Sequence, residues 1–166
     1  MFTPPKVNNL SSKLYFKQHE LMLEALSLAQ KAYSLAEVPV GAIIFDRNAQ
    51  KVIARTYNQN ITLNDPTAHA EILAIREAAQ TLGTTYLTNC DLIVTLEPCP
   101  MCAQAIAIAR IERLFFGAYD LKSGGVEHGA RIFSASSAHH KPEIYGGILE
   151  QENRELLQRF FQALRS

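Results

Sequence analysis

His69-Ala70-Glu71 and, downstream, Pro98-Cys99-Pro100-Met101-Cys102 are the residues of this chain whose types and spacing can do chemistry. One histidine and two cysteines are ligands that zinc prefers. Structural zinc sites close with four protein ligands, whereas catalytic ones take three and keep a position for water. Cys99 and Cys102, three apart at a predicted helix start, place both sulfurs on one face. A helix amino terminus also lowers thiol pKa values and so favours the thiolates that bind metal. Glu71, two residues from His69, sits awkwardly as a further ligand. Its better use is to take a proton from a metal-activated water and hand it to a leaving group. Together these residues read as a hydrolytic zinc site that removes an amine.

Two other readings stand beside that one. A lone C-x-x-C also serves redox chemistry, although the accompanying H-x-E and the strand-then-helix context favour metal. A structural zinc site would need a fourth ligand, for which Cys90, His128, His139 and His140 are the candidates. Cys90 precedes an apolar strand and suits a small buried hydrophobe instead.

The elements that must position these groups follow from periodicity. Leu21, Ala25, Leu28, Ala29 and Ala32 predict a helix from His19 to Leu35. Two apolar runs, 40–45 and 51–57, flank the polar turn 46–50 and predict a β-hairpin. Thr67 or a neighbour is the expected cap of a helix over 68–82, with Gly83 as its stop. A strand over 91–96 leads into a helix over 100–110, with Pro100 at a tolerated first-turn position. Residues 113–119 predict another strand, and Gly124-Gly125 breaks regularity. A short strand near 143–145 precedes a closing helix marked by Leu149, Leu156, Leu157, Phe160 and Leu164. This order implies an α/β fold, a mixed sheet with helices on its faces.

Bulk properties set the frame. The 166 residues suit one domain, 13–166, behind a flexible Pro-, Asn- and Ser-rich extension, 1–12. Lys and Arg number 16 against 16 Asp and Glu, so charge lends no support to non-specific phosphate binding. It leaves open a nucleic-acid role that works through a shaped pocket. No apolar run approaches a membrane span, and residues 1–6 lack the character of a signal peptide. Three cysteines form a poor disulfide framework, so a cytoplasmic setting is expected.

The paired motif resembles the zinc-dependent nucleoside and nucleobase deaminases of the cytidine and deoxycytidylate deaminase superfamily, whose known chemistry assigns these roles to metal and glutamate. Further segments are similar to the bacterial tRNA adenosine deaminase branch: Glu37-Val38-Pro39-Val40-Gly41-Ala42, Asn58, Asp65 to Ile72, Val94 to Cys99, and Phe116-Gly117-Ala118-Tyr119-Asp120. The resemblance implies a three-layer α/β/α cytidine-deaminase-like fold on a mixed five-stranded sheet. It implies one zinc per subunit held by His69, Cys99 and Cys102, with Glu71 as proton shuttle. It further implies a homodimer that deaminates adenosine to inosine at the wobble position of a tRNA anticodon stem-loop. By the same resemblance Asn58 bonds the substrate nucleoside and Asp120 lies near the sugar and backbone. Their alternatives are a turn asparagine and a strand-end cap. Phe160 and Phe161 fall where the family's closing helix approaches substrate, though their spacing with Leu157 and Leu164 also suits a core. The segment Ser123-Gly124-Gly125-Val126-Glu127-His128-Gly129 departs from the most familiar family pattern and leaves the metal residues untouched. A deaminase of a free base or nucleoside (guanine, cytosine or cytidine) is the rival enzyme, and a non-catalytic zinc module the rival from another class.

Overall fold

The computed structural model describes residues 11–166. Ten elements follow one another: α1 (Ser12–Ser34), β1 (Gly41–Asp46), β2 (Lys51–Tyr57), α2 (Ala70–Leu82), β3 (Cys90–Leu96), α3 (Pro100–Ala109), β4 (Arg113–Ala118), a short 3₁₀ turn (Ile132–Ser134), β5 (Glu143–Tyr145) and α4 (Glu150–Arg165). The five strands form one mixed sheet in the order β2-β1-β3-β4-β5. β1 runs antiparallel to β2 and β3, whereas β3, β4 and β5 are parallel.

Strand periodicity divides the core into two layers. Ala42, Ile44, Leu92, Val94, Leu114 and Phe116 face one side, where Ala70, Ala74 and Ala78 of α2 and Ala103 and Ile106 of α3 cover them. The alternate residues Ile43, Phe45, Ile93 and Phe115 face the other side, against Leu21, Met22 and Ala25 of α1. α4 joins that second layer through the edge-on contact of Phe160 with Tyr33. Both faces are covered, so β1 and β3 are apolar almost throughout. The result is the three-layer arrangement that the family resemblance implies. Among the described residues no helix is long and apolar enough to cross a membrane.

Two local expectations are corrected. The first helix begins at Ser12, seven residues before the apolar pattern shows it, because Ser11 caps it by accepting from the Leu14 amide at 3.4 Å. Ser11 and Ser12 thus belong to this helix, and the rest of the expected extension, 1–10, lies outside the described residues. Thr67 does not cap α2: its amide and hydroxyl both donate to Asp65 Oδ1, at 2.8 and 2.7 Å. The N-cap is His69 itself, and no side chain bonds there. Gly83 does end α2, in the left-handed region at φ 63°.

α1 approaches the sheet on a stripe of alanines, and Gly41 is the point of closest approach. A Cβ at Gly41 would lie 2.1 Å from the Ala25 carbonyl oxygen and 2.8 Å from the Ala29 amide nitrogen. Both are backbone atoms and cannot rotate away. We expect Gly41→Ala to force α1 off β1 and to destabilise the protein by at least about 2 kcal/mol. The check is the urea-unfolding midpoint, read with the m-value unchanged.

Candidate active site and metal centre

The site is built from segments that leave the sheet at one edge. β1 is antiparallel to its neighbours, so its first residues pair with the last of β2 and β3, as in Gly41 with Tyr57 and Ala42 with Val94. Leu96 likewise pairs with Ala118 at the end of β4. Val38 and Val40 before β1, Asn58 after β2, Glu97 and Cys99 after β3, and Asp120 after β4 therefore surround one cavity of about 190 Å³, together with His69 and Glu71.

His69 is the N-cap of α2 and Cys99 the N-cap of α3, each with extended backbone angles and neither side chain used in capping. Cap residues ordinarily turn back on their own helix. Here both are free to project outward, and two positive helix ends converge on the same point. Cys102, in the first turn of α3, completes the group. His69 Nδ1 lies 3.6 Å from Cys99 Sγ and 3.4 Å from Cys102 Sγ. Zinc bonds of about 2.3 Å to sulfur and about 2.0 Å to nitrogen, at a tetrahedral angle, separate the two ligand atoms by about 3.5 Å. The side chains already stand at that separation and therefore fit zinc.

Charge at the centre tells the same story. Hydrogen bonds from Cys102 and His69 hold the Cys99 thiol down at about 4. Cys102 is pushed far up, because it donates to the Cys99 thiolate and is buried. The His69 imidazole is raised by its bond to Cys99. The trio therefore favours a thiolate at Cys99, the form in which sulfur binds metal. Glu71 is 4% exposed. Burial pushes its carboxyl up to about 7, where a proton can be taken and released with little bias.

The fourth-ligand candidates lie elsewhere. Cys90 is buried at the start of β3, where burial pushes its thiol up to about 11. His128 Nδ1 bonds Glu97 Oε2 at 2.9 Å, His140 Nε2 bonds the Ile111 carbonyl oxygen at 2.6 Å, and His139 is exposed. Among the described residues His69, Cys99 and Cys102 are the one group of such side chains placed to hold a metal ion.

The substrate-facing expectations divide. Asn58 is 5% exposed and lines the cavity; its Nδ2 donates to the buried Glu37 at 3.4 Å, which leaves Oδ1 as the open acceptor. Asp120 combines both of its readings. Its Oδ1 accepts from the amides of Lys122 (3.1 Å) and Ser123 (2.9 Å), and the residue also lines the cavity. Phe160 takes the core alternative: it is 6% exposed and packs edge-on against Tyr33. Phe161, next to it and 42% exposed, faces a groove of about 610 Å³. That groove shares Val38, Leu96 and Asp120 with the cavity and runs on past Lys122, Arg154 and Arg165.

Sequence reasoning missed two buried carboxylates. Glu37 accepts from Asn58 and from the Thr62 amide at 2.7 Å. Glu97 accepts from four donors in the segment 120–128. The one signal for either is an acidic residue inside an otherwise apolar motif, Glu37-Val38-Pro39-Val40 and Leu96-Glu97-Pro98.

Comparison with known proteins agrees with this geometry. A tRNA-specific adenosine deaminase of Rickettsia bellii is 47% identical over 144 residues, covering 87% of this chain and 99% of that protein. One from Agrobacterium fabrum is 50% identical over 141 residues, covering 85% and 91%. A solved structure from work on A-to-I editing by tRNA deaminases at the wobble position superposes with a TM-score of 0.80 at 49% identity, over 82% of this chain and 98% of that one. A guanine deaminase from Nitrosomonas europaea, 23% identical with a TM-score of 0.75 over 96% of this chain and 93% of that one, shares the fold. The profile of the cytidine and deoxycytidylate deaminase zinc-binding region matches residues 16–118, and the chain belongs to that family of zinc-dependent deaminases.

Proposed function

We propose that this protein deaminates adenosine to inosine by hydrolysis at the wobble position of a tRNA anticodon stem-loop. The observation that carries the reaction is Glu71, buried in the same cavity as the converged His69, Cys99 and Cys102. Zinc, when bound there, supplies the Lewis acidity that makes hydroxide available near neutral pH. The chain's own residues handle the rest. Glu71 takes one proton from the attacking water as its oxygen bonds C6 and passes it to the ring nitrogen; it then takes the second proton from the new C6 hydroxyl and hands it to the amino group, which leaves as ammonia as the C6–N bond breaks. Asn58 offers its amide oxygen to the nucleoside, and Asp120 stands where cavity and groove meet.

The groove favours a polymer over a free base. It continues from the cavity with an exposed aromatic ring, Phe161, and with the cations of Lys122, Arg154 and Arg165 along its walls. Stacking surface beside cations suits a single strand whose target base has been splayed out. The close relatives named as tRNA-specific adenosine deaminases support the same substrate. In this reading the enzyme is a cytoplasmic homodimer with one zinc per subunit. Three free cysteines suit a reducing compartment, and the exposed side chains of Ile61, Leu63 and Ile108 supply apolar surface for a dimer contact.

The direct test is mass spectrometry of nucleosides from tRNA incubated with zinc-loaded protein. We expect inosine from an anticodon adenosine; faster turnover of free guanine or cytidine than of tRNA would establish the rival deaminase instead. Glu71→Ala should keep its zinc, measured by metal analysis, and lose about 10³-fold in kcat. Stripping the metal with a chelator should abolish activity and lower the melting temperature, and added zinc should restore both. A stripped protein of full activity would refute the metal assignment.

A further inference from the structure

We propose that Glu97 is a positioning residue for the substrate: its carboxylate holds Asp120 and the 120–128 loop at the junction of cavity and groove, and so sets how tightly the nucleotide binds. This inference rests on the reading of the site given above and names a residue that does its work without touching substrate.

The geometry is a single acceptor facing a single loop. Glu97 has no exposed side-chain surface. Its Oε1 accepts from the amides of Glu127 and His128, both at 2.8 Å. Its Oε2 accepts from the Asp120 amide at 3.0 Å and from His128 Nδ1 at 2.9 Å. Every donor comes from 120–128, and both oxygens are fully engaged. Three of the four donors are backbone amides, which can only donate, so the carboxylate meets the loop as an acceptor.

The loop is also pressed onto the metal-ligand turn. A Cβ at Gly124 would stand 2.7 Å from Glu97 Oε1 and 2.5 Å from the Asp120 carbonyl oxygen. A Cβ at Gly125 would stand 2.5 Å from the Pro100 nitrogen, and the Gly125 amide donates to the Pro98 carbonyl oxygen at 2.8 Å. Two glycines thus let the loop backbone lie close, Gly125 directly against Pro98–Pro100 and Gly124 against the Glu97 carboxylate. Asp120 is where this hold meets the ligand. Its Oδ1 is consumed by the turn that it starts, which leaves Oδ2 for the cavity and groove that it lines.

Glu97→Gln isolates the effect. The amide keeps the side chain's volume and leaves one oxygen for the Glu127 and His128 amides. Its NH2 then faces the other pair. The His128 ring can accept from it by changing tautomer, whereas the Asp120 amide is left without an acceptor. We expect KM for an anticodon stem-loop RNA to rise about tenfold, the effect of one lost bond to a charged group, with kcat within about threefold of wild type. Bound zinc should stay unchanged. Amide hydrogen exchange across 120–128 should quicken about tenfold, while β3 and α3 keep their protection. Asp120→Ala should raise KM alone, and the double variant should be no worse than the worse single one, because Glu97 acts through Asp120. His128→Ala, which removes one donor of the four, should give a smaller KM rise and serves should Glu97→Gln fail to fold. A fall in kcat with KM unchanged, multiplicative effects in the double variant, or undisturbed exchange in the loop would each overturn the proposal. Failure of the tRNA reading would look different: the wild-type protein would form no inosine, while hydrogen exchange on the protein alone would still report what Glu97 holds.

Discussion

The opposed direction of β1 is the constraint on which the rest of the molecule depends. It places the start of β1 beside the ends of β2 and β3, and parallel pairing of β3 with β4 adds the end of β4 to the same edge. Chain leaving these strands must turn there, and the turns after β2 and β3 lead into helices that fold back over one face. Helix amino termini therefore gather at that edge with unpaired N–H groups pointing outward. A thiolate and a metal-binding imidazole at the N-cap positions draw on that field. The sheet thus solves an electrostatic problem before any ligand arrives, because it brings two positive helix ends to the place where two sulfurs must lose their protons. Ligands collecting at the carboxyl ends of strands are the general habit of α/β sheets, and this chain observes it with a mixed sheet.

Gly41, at the first residue of β1, shows how narrow the tolerance is. It admits the alanine stripe of α1 close enough that its missing side chain would collide with helix backbone, and its amide donates to Thr95 Oγ1 at 3.1 Å. That bond ties the start of β1 to β3 two residues before Glu97. The residue that lets α1 dock is thus also part of the edge that orders the site, so helix packing and site geometry cannot vary independently.

What could be read from sequence was whatever local spacing records. His69, Cys99 and Cys102 were legible because ligand chemistry combines with a three-residue interval at a helix start. The strands were legible because both faces of β1 and β3 are buried. The beginning of α1 was not, since its first turns carry the exposed Phe16 and the half-buried Tyr15 with no apolar stripe, and a serine cap alone signals entry. Thr67 misled because Asp65 competes for it, and an aspartate two residues away is a better local acceptor than a helix end is a donor. Phe160 and Phe161 are adjacent on one helix and point about 100° apart, so composition could not say which faces the core. Glu97 left almost no trace because three of its four partners are backbone amides 23 to 31 residues away, and amides carry no sequence signature.

Formal neutrality says nothing of how the charges are distributed. At the opposite edge of the sheet, at the start of β3 and β4, Arg113 binds Asp91 through Nε at 2.7 Å and Nη2 at 2.5 Å. Arg47 lies between Asp91 and Glu112. Those cations and anions cancel locally and hold the non-catalytic edge together. Lys122 and Arg165 at the groove carry no such partner among the described ion pairs, and Arg154 pairs with Glu150 only on the helix surface, where such a contact is weak. Exposed charges act over roughly 8 Å in physiological salt, so a ligand at the groove would feel the groove's own charges and not the sum over the chain. A protein of zero net charge can therefore carry a local excess of cations at one groove, here Lys122, Arg154 and Arg165 against Asp120. Asp91 and Glu112 are paired at the opposite end of the strands, Glu97 is sealed beneath its own loop, and Glu71 is buried.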